Sequence, residues 1–337
     1  MTGFVVAITM KTMLAMQRLL RESIPGSTLK ARFSRARVWL YASLNPGAGR
    51  IWIRALTAIP LLAAAARRDR RFAEKPFHGF GRACLCARTR ASLIAGHYAA
   101  MSRLLDDAWL ERLYVRGESV VLASCEQFSI VAREVTRCKR EGLLSIAVCD
   151  AQSGTDLAWA TLIVEVDEQR RLGMFIGGLQ GPAGEHRERV RGVTRACDGL
   201  RPKAAVIEAL CAIGRELGMA RIVAVARASH ISSANDTQFR SDYDAFWLEL
   251  GGVPIDDGYA LPLSLPHRAI EDVPSNKRSA FRRRQALIAD MSAQIQSHIE
   301  AAKREVALPE MSVPARAGRP YGLAWAGAQL GLNTIRK

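Results

Sequence analysis

Three apolar runs in the middle of the chain, 143-LLSIAVCD-150, 157-LAWATLIVEV-166 and 172-LGMFIGGL-179, are separated by little more than the polar stretches 151-AQSGT-155 and 167-DEQRR-171. Gaps that short cannot hold a crossover helix, so consecutive strands must turn back on one another as hairpins. An antiparallel meander follows. The start of 119-SVVLASCEQFSIVAREV-135 reads as a further strand upstream. Beyond the meander the rhythm changes. The stretch 202-PKAAVIEALCAIGREL-217 has Pro at its first turn, apolar residues at helical spacing and Gly218 as a stop. A strand, 221-RIVAVARAS-229, comes next, then a short helix, 240-RSDYDAFWLELGG-252, closed by Gly251, and a last strand, 258-GYALPL-263. The expected class is α+β: an antiparallel meander followed by a strand-helix-strand unit.

The flanks are helical. Residues 88–115 carry helical periodicity through Leu93, His97, Met101, Leu104, Leu105 and Leu113. Residues 1–75 are basic, rich in Ala and Leu, and broken at Pro25, Pro46 and Pro60, which predicts a helical N-terminal extension outside the main core. The main domain is expected over 76–290. A long C-terminal helix is expected over 275–306, with Ser275 as its cap after Pro274. Residues 291–337 then comprise the end of that helix and a loose tail containing Pro309, Pro314 and Pro320.

Charge narrows the partners. Lys and Arg number 48 against 32 Asp and Glu, a net +16. That excess favours an acidic carrier protein, an anionic membrane surface, a phosphate-bearing cofactor or nucleic acid. The seven cysteines have no regular spacing, which fits a reduced, cytoplasmic protein. Cys84 and Cys86 with His78 lack a second ligand pair, so no metal is expected. The apolar patch near the amino end has no basic residue before it and no small-residue cleavage site, unlike a signal peptide. The run 55-ALTAIPLLAAAA-66 is too short to span a bilayer. Flanked by Arg50, Arg54, Arg67, Arg68, Arg70 and Arg71, it is either a helix lying on an anionic surface, peripheral to the inner membrane, or a buried helix with solvated basic ends.

The element order resembles the acyltransferase fold of the GCN5-related N-acetyltransferases, in which a meander leads into a strand-helix-strand unit that holds an acyl-pantetheine cofactor. The ending 246-FWLELGG-252 is similar to the aromatic-rich close common there. A nearer resemblance lies in IGGLQG (176–181), DGLRPK (198–203), SH (229–230), DYDAFW (242–247) and NKRSAFRRR (276–284), which are similar to the VirK/YbjX family of Gram-negative bacteria over roughly residues 76–290. Members of that family are linked to virulence, envelope properties and resistance to cationic antimicrobial peptides. Together the resemblances imply an acyltransferase-like protein. It would use acyl-CoA or the phosphopantetheine of an acyl carrier protein as thioester donor and act in envelope modification or stress resistance.

Candidate site residues follow. IGGLQG is not followed by GK[ST] and does not open a helix, so it is neither a Walker loop nor a dinucleotide fingerprint. Gly177 and Gly178 form either a bulge and turn or a stretch of bare backbone on which a pantetheine arm pairs like an added strand. Gln180 would fix an amide or hydroxyl beside Gly181. Arg201 and Lys203 sit at the amino end of the helix beginning at Pro202, where free N–H groups favour anions. Pro202 removes one donor, and the R/Q-x-x-G-x-G/A pattern of the acyltransferases is missing, which suits the single phosphate of a carrier arm better than coenzyme A. His230, read as closing a strand, is either a general base or a residue holding its loop. Tyr243 would protonate a leaving thiolate, although alignment with the acyltransferase motif puts Trp247 at the usual tyrosine place. Asp242 or Asp244 would bind a cationic acceptor or cap the helix, and Trp247 reads as a packed aromatic. Glu165 is either a base with a raised pKa or, preferably, a solvated residue beside its turn. Lys277, Arg278, Arg282, Arg283 and Arg284 surround Phe281 on one helix and offer a surface for acidic lipid or a carrier protein, with nucleic acid ranked below. That surface carries the alternative function, a non-enzymatic basic adaptor or regulator binding anionic lipid or RNA.

Overall fold

The computed structural model describes residues 26–69, 71–182, 184–232, 243–256 and 258–304, with isolated positions between 14 and 24. Helix α1 (Leu29–Leu44) begins where the Thr28 hydroxyl accepts the Ala31 amide, an N-cap that satisfies an otherwise orphaned donor. Helices α2 (Pro46–Ala58) and α3 (Pro60–Arg68) each start with the proline that the sequence marked as a break. Helix α4 (Ala87–Leu104) ends early, because the Asp106 carboxylate accepts the Trp109 amide at 2.7 Å and caps a new short helix, α5 (Asp107–Leu110). A π-helical turn, Glu111–Arg116, follows and stops at Gly117 with φ 69°.

Among the described residues eight strands form one sheet: β1 (Val120–Ser124), β2 (Phe128–Glu134), β3 (Leu144–Asp150), β4 (Asp156–Val166), β5 (Leu172–Gln180), β6 (Arg221–Val225), β7 (Val253–Ile255) and β8 (Gly258–Leu261). Their order is β1-β2-β3-β4-β5-β6-β8-β7, and every neighbouring pair is antiparallel except β5 and β6. The meander and the following helix-strand-helix-strand order agree with the sequence. Helix α6 (Arg187–Ala196) was not expected, since its sequence is polar and buries only Val193. Helix α7 (Pro202–Glu216) makes the crossover from β5 to the parallel β6, as parallel pairing requires. Helix α8 (Tyr243–Glu249) leads into the β7–β8 hairpin, and α9 (Arg278–Ala302) closes the described chain. Ser275 is not the cap of α9. It lies in a short 3-10 turn, Ser275–Lys277, that precedes the helix.

Helices α4, α7 and α9 lie on one face of the sheet, where Met101, Ile213 and Ile299 meet Leu162, Val164 and Met174. The other face carries Val131, Ala147, Cys149 and Trp159. The N-terminal helices do not stand outside the core. Trp52, Leu56 and Leu62 belong to the same buried cluster as Tyr98 and Met101. The run 55–66 is bent by 104° between α2 and α3, and Ala55, Leu56, Ile59, Leu62, Ala65 and Ala66 are all buried. The buried-helix reading therefore replaces the surface one for this run. No single helix among the described residues is long and apolar enough to cross a membrane.

A buried histidine ties the layers together. Beyond the β3 pairing, the Val164 amide donates to Nδ1 of His97 on α4 at 2.9 Å, and Nε2 of His97 lies 2.8 Å from the Tyr114 hydroxyl. Because Nδ1 accepts, Nε2 carries the proton and donates to Tyr114. Burial, and secondarily the charge of Lys75, push the imidazole pKa down to about 3.

Candidate functional site

The turn before β3 positions an acid that the sequence did not single out. Cys138 takes a left-handed conformation, with φ 54°, and its carbonyl accepts the Glu141 amide at 2.8 Å. Gly142 then lies against β4: a Cβ there would stand 2.7 Å from the Leu162 nitrogen. This close passage drops Glu141 onto β5. The Glu141 side chain is buried, and its Oε2 accepts the Thr161 hydroxyl at 3.3 Å.

The two glycines of the IGGLQG motif acquire their physical reason here. A Cβ on Gly177 would lie 1.8 Å from the Glu141 carbonyl oxygen, and one on Gly178 would lie 1.9 Å from Glu141 Oε2. The bare surface expected to stand open at these positions is filled by Glu141. Gly177 is also the extra residue of the β4–β5 bulge, since Thr161 pairs with Gly178 and Leu162 with Ile176.

His230 meets this acid from the opposite side. The expected strand 221–229 stops at Val225, because α8 takes over its next polar groups. The Trp247 indole donates to the Val225 carbonyl at 2.9 Å, and the Asp244 carboxylate accepts the Arg227 amide at 2.9 Å. His230 thus follows a turn instead of closing the strand, and its backbone bridges to Arg82. The ring is fully buried, with Nε2 3.5 Å from Glu141 Oε1. The Ser232 amide donates to Nδ1 at 3.1 Å. Nδ1 is therefore the acceptor, and a neutral ring carries its proton on Nε2, facing the carboxylate.

Tyr243 completes the group. The β5–β6 pairing runs from Gly173–Arg221 to Ile176–Ala224 and ends there, while β5 continues to Gln180. On the freed edge the Tyr243 hydroxyl accepts the Leu179 amide at 3.1 Å and the Gln180 side-chain amide at 2.9 Å. The tyrosine ring stands 5.5 Å from His230 and stacks on Trp247 at 5.8 Å. Burial first, and then the Glu141 charge, hold its pKa above the usual phenol value. Cys138 is also close by, its thiol pushed up to about 11 by burial and by the same carboxylate. Asp242 lies outside the described residues.

The expected anion-binding residues divide. Lys203 is half-buried beside Gly181, whose Cβ would meet Lys203 Cε at 3.6 Å, and burial lowers the Lys203 pKa. Arg201 is exposed and lies 3.8 Å from Glu249. The DGLRPK loop packs against the basic helix α9, so two segments read separately in the sequence come together. Arg283 pairs with Asp198 at 2.5 Å, and Arg284 lies against Gly199 and over Phe281. Arg278 donates to the Val273 and Glu271 carbonyls, while Lys277 and Arg282 face solvent.

Glu165 is not solvated as preferred from the sequence. It forms a two-point pair with Arg82, at 2.8 and 3.4 Å, and the guanidinium stacks 3.7 Å over Phe175. Sequence reasoning missed Glu141 and its partner Thr161. The available signal was an acid directly before a glycine at the mouth of a strand, with two more glycines in IGGLQG.

The sequence model of the family described as "Protein of unknown function (DUF535)" matches residues 27–297, most of the chain. The chain belongs to the DUF535 family. YbjX of Escherichia coli K12, described as uncharacterized, is 28% identical over 277 residues, covering 78% of this chain and 83% of its own. The VirK/YbjX resemblance of the motifs is thereby supported. An uncharacterized protein of Haemophilus influenzae Rd is 32% identical over 129 residues, covering 37% of this chain and 44% of its own. No solved structure matches. The DUF535 match takes in α1, α2 and α3, so the family region is wider than the 76–290 expected from motifs alone.

Proposed function

We propose that this DUF535 protein transfers an acyl group from a thioester donor to an amine or hydroxyl acceptor, with Glu141, His230 and Tyr243 at the reacting centre. The observation that carries the reading is their assembly at the point where the parallel strands β5 and β6 part. Ligands of open α/β units bind in such crevices beyond strand ends. The meander followed by a helix-linked parallel strand also supports the acyltransferase resemblance, which is a fold-level analogy.

The chemistry follows from the proton positions. Once the Ser232 amide withdraws, Nδ1 of His230 takes the proton of the acceptor as it attacks the thioester carbonyl. Nε2–H remains directed at Glu141, whose charge offsets the imidazolium. Tyr243, with its pKa raised by burial, stays protonated and gives its proton to the leaving thiolate. The C–S bond breaks, the new C–N or C–O bond forms, and return of a proton from His230 to Tyr243 resets the site. Lys203 and Gly181, at the amino end of α7, would receive the donor phosphate, with Arg201 at the outer edge. An acyl carrier protein, being acidic and bearing one phosphate, fits this arrangement and the net charge of +16 better than coenzyme A does. Such a donor would place the protein in the cytoplasm.

Native mass spectrometry of the purified protein tests the donor, with a bound acyl carrier or coenzyme A as the expected result. Thiol release from acyl-CoA and from acyl carrier protein, followed with and without amine acceptors, tests the reaction. No release from either donor would sink the proposal. The adaptor alternative draws less support, because two cations of α9 are held within the protein, Arg278 by backbone carbonyls and Arg283 by Asp198.

A further inference from the structure

Helix α1 buries one face and presents a second apolar face outward. At about 3.6 residues per turn, Leu29, Phe33, Ala36, Leu40 and Leu44 fall within about 80° of the circumference. Ala31, Val38 and Ala42 occupy the opposite side and pack into a small cluster with Ile24 and Ile53. The outward residues are open to solvent: Leu29 is 71% exposed, Phe33 74%, Leu40 50% and Leu44 69%. Isolated exposed apolar residues need no explanation, whereas an aligned stripe along a whole helix does.

The stripe has cationic margins. The exposed Lys30 borders it on one side, next to Arg37, which is paired with Glu74, and Arg32 with the part-exposed Trp39 on the other. Residues 23–68 contain eight Lys and Arg and no Asp or Glu. A convex helix with an apolar crest, a marginal tryptophan and basic flanks has the layout of one lying in the headgroup region of an anionic bilayer. A groove for a peptide would instead be concave, and nucleic acid would not use the apolar crest.

We infer that α1 is a membrane-surface helix that docks the protein on an anionic bilayer through Leu29, Phe33, Leu40 and Leu44, with Lys30 and Arg32 contacting lipid phosphates. This site differs from the buried 55–66 run and from the basic face of α9. It does not rest on the acyl-transfer reading, because vesicle binding and thiol release are separate measurements.

The test is co-sedimentation of the full chain with two kinds of vesicle, phosphatidylcholine alone and an equal mixture of phosphatidylcholine and phosphatidylglycerol. Binding is expected on the mixed vesicles, weakening as salt rises, with little on phosphatidylcholine alone. Phe33→Glu with Leu40→Glu should reduce binding more than about tenfold, by placing charge where the crest inserts. Lys30→Ala with Arg32→Ala should reduce it about twenty-fivefold, from roughly fivefold per cation. Both pairs are exposed, so circular dichroism and the melting temperature should match wild type. Equal pelleting of wild type and Phe33→Glu/Leu40→Glu would overturn the inference, as would equal binding to both vesicles. So would a wild-type dimer that this variant turns into monomer, which would make the stripe a contact between copies. A large fall in its melting temperature without lipid would show another segment of the chain covering the stripe.

Discussion

Nε2 of His230 and Oε1 of Glu141 lie 3.5 Å apart in a site from which both side chains exclude almost all solvent. The two residues are far apart in sequence and meet because three glycines, Gly142, Gly177 and Gly178, let the Glu141 turn pass across β4 and β5. Burying an acid beside an imidazole is costly unless each is held by polar partners. Thr161 and the Ser232 amide supply them.

The glycines are the first place to test this geometry. Gly177→Ala should destabilise the protein by about 3 kcal/mol or more, because the obstacle is the Glu141 backbone and not a flexible side-chain tip. Gly181→Ala, whose Cβ meets only the Lys203 stem, should stay within about 0.5 kcal/mol of wild type. Urea midpoints at constant slope read both.

How much of this was legible follows from what each feature depends on. The meander was readable because short gaps force hairpins whatever the rest of the chain does, and α7 because its proline, periodicity and closing glycine agree. Glu141 was hidden, since its partners Thr161, Gly178 and His230 come from three separate segments and nothing local announces them. The end of β6 was misplaced for a similar reason: Trp247 and Asp244, from a later helix, decide where its ladder stops. Helix α1 is apolar on two opposite sides, so its sequence could not say which side faces the core.

His97 should shape acid stability. Its folded pKa, about 3, lies below the unfolded value near 6.5, so the unfolded chain binds the proton more readily. Its stabilising contribution is present above pH 6.5 and is lost as pH falls toward 3, at up to about 1.4 kcal/mol per pH unit. Glu208 opposes this within part of the window, since burial raises its pKa to about 7. The difference between wild type and His97→Gln cancels that term. Chemical denaturation at pH 5.0, 5.5, 6.0 and 6.5 should give a wild-type stability that rises with pH relative to that of His97→Gln; a difference that falls as pH rises would mean that His97 is protonated in the fold.

Breaking the Arg82–Glu165 pair should cost more than an exposed ion pair would. Glu165→Ala leaves a largely buried guanidinium over Phe175 without its carboxylate and should cost about 2–3 kcal/mol. A double-mutant cycle with Arg82→Met should return a favourable coupling of about 1–3 kcal/mol. Coupling near zero would reduce the pair to a surface contact.

On the proposed donor site, Lys203→Ala should raise KM for an acyl carrier protein donor about tenfold with little change in kcat, as loss of uniform binding does. Arg201→Ala should do less, because Arg201 is exposed and lies near Glu249. A kcat effect from Lys203→Ala without a KM effect would move Lys203 from donor binding to the chemical step.

The most direct test of the central claim is single-turnover thiol release from an acyl carrier protein thioester in the presence of an amine acceptor, comparing wild type with His230→Ala and Glu141→Gln. The account predicts release by wild type, a loss of at least about a hundredfold in His230→Ala, and a smaller loss in Glu141→Gln, which keeps the shape but not the charge facing Nε2. Wild-type rates in both folded variants would contradict it.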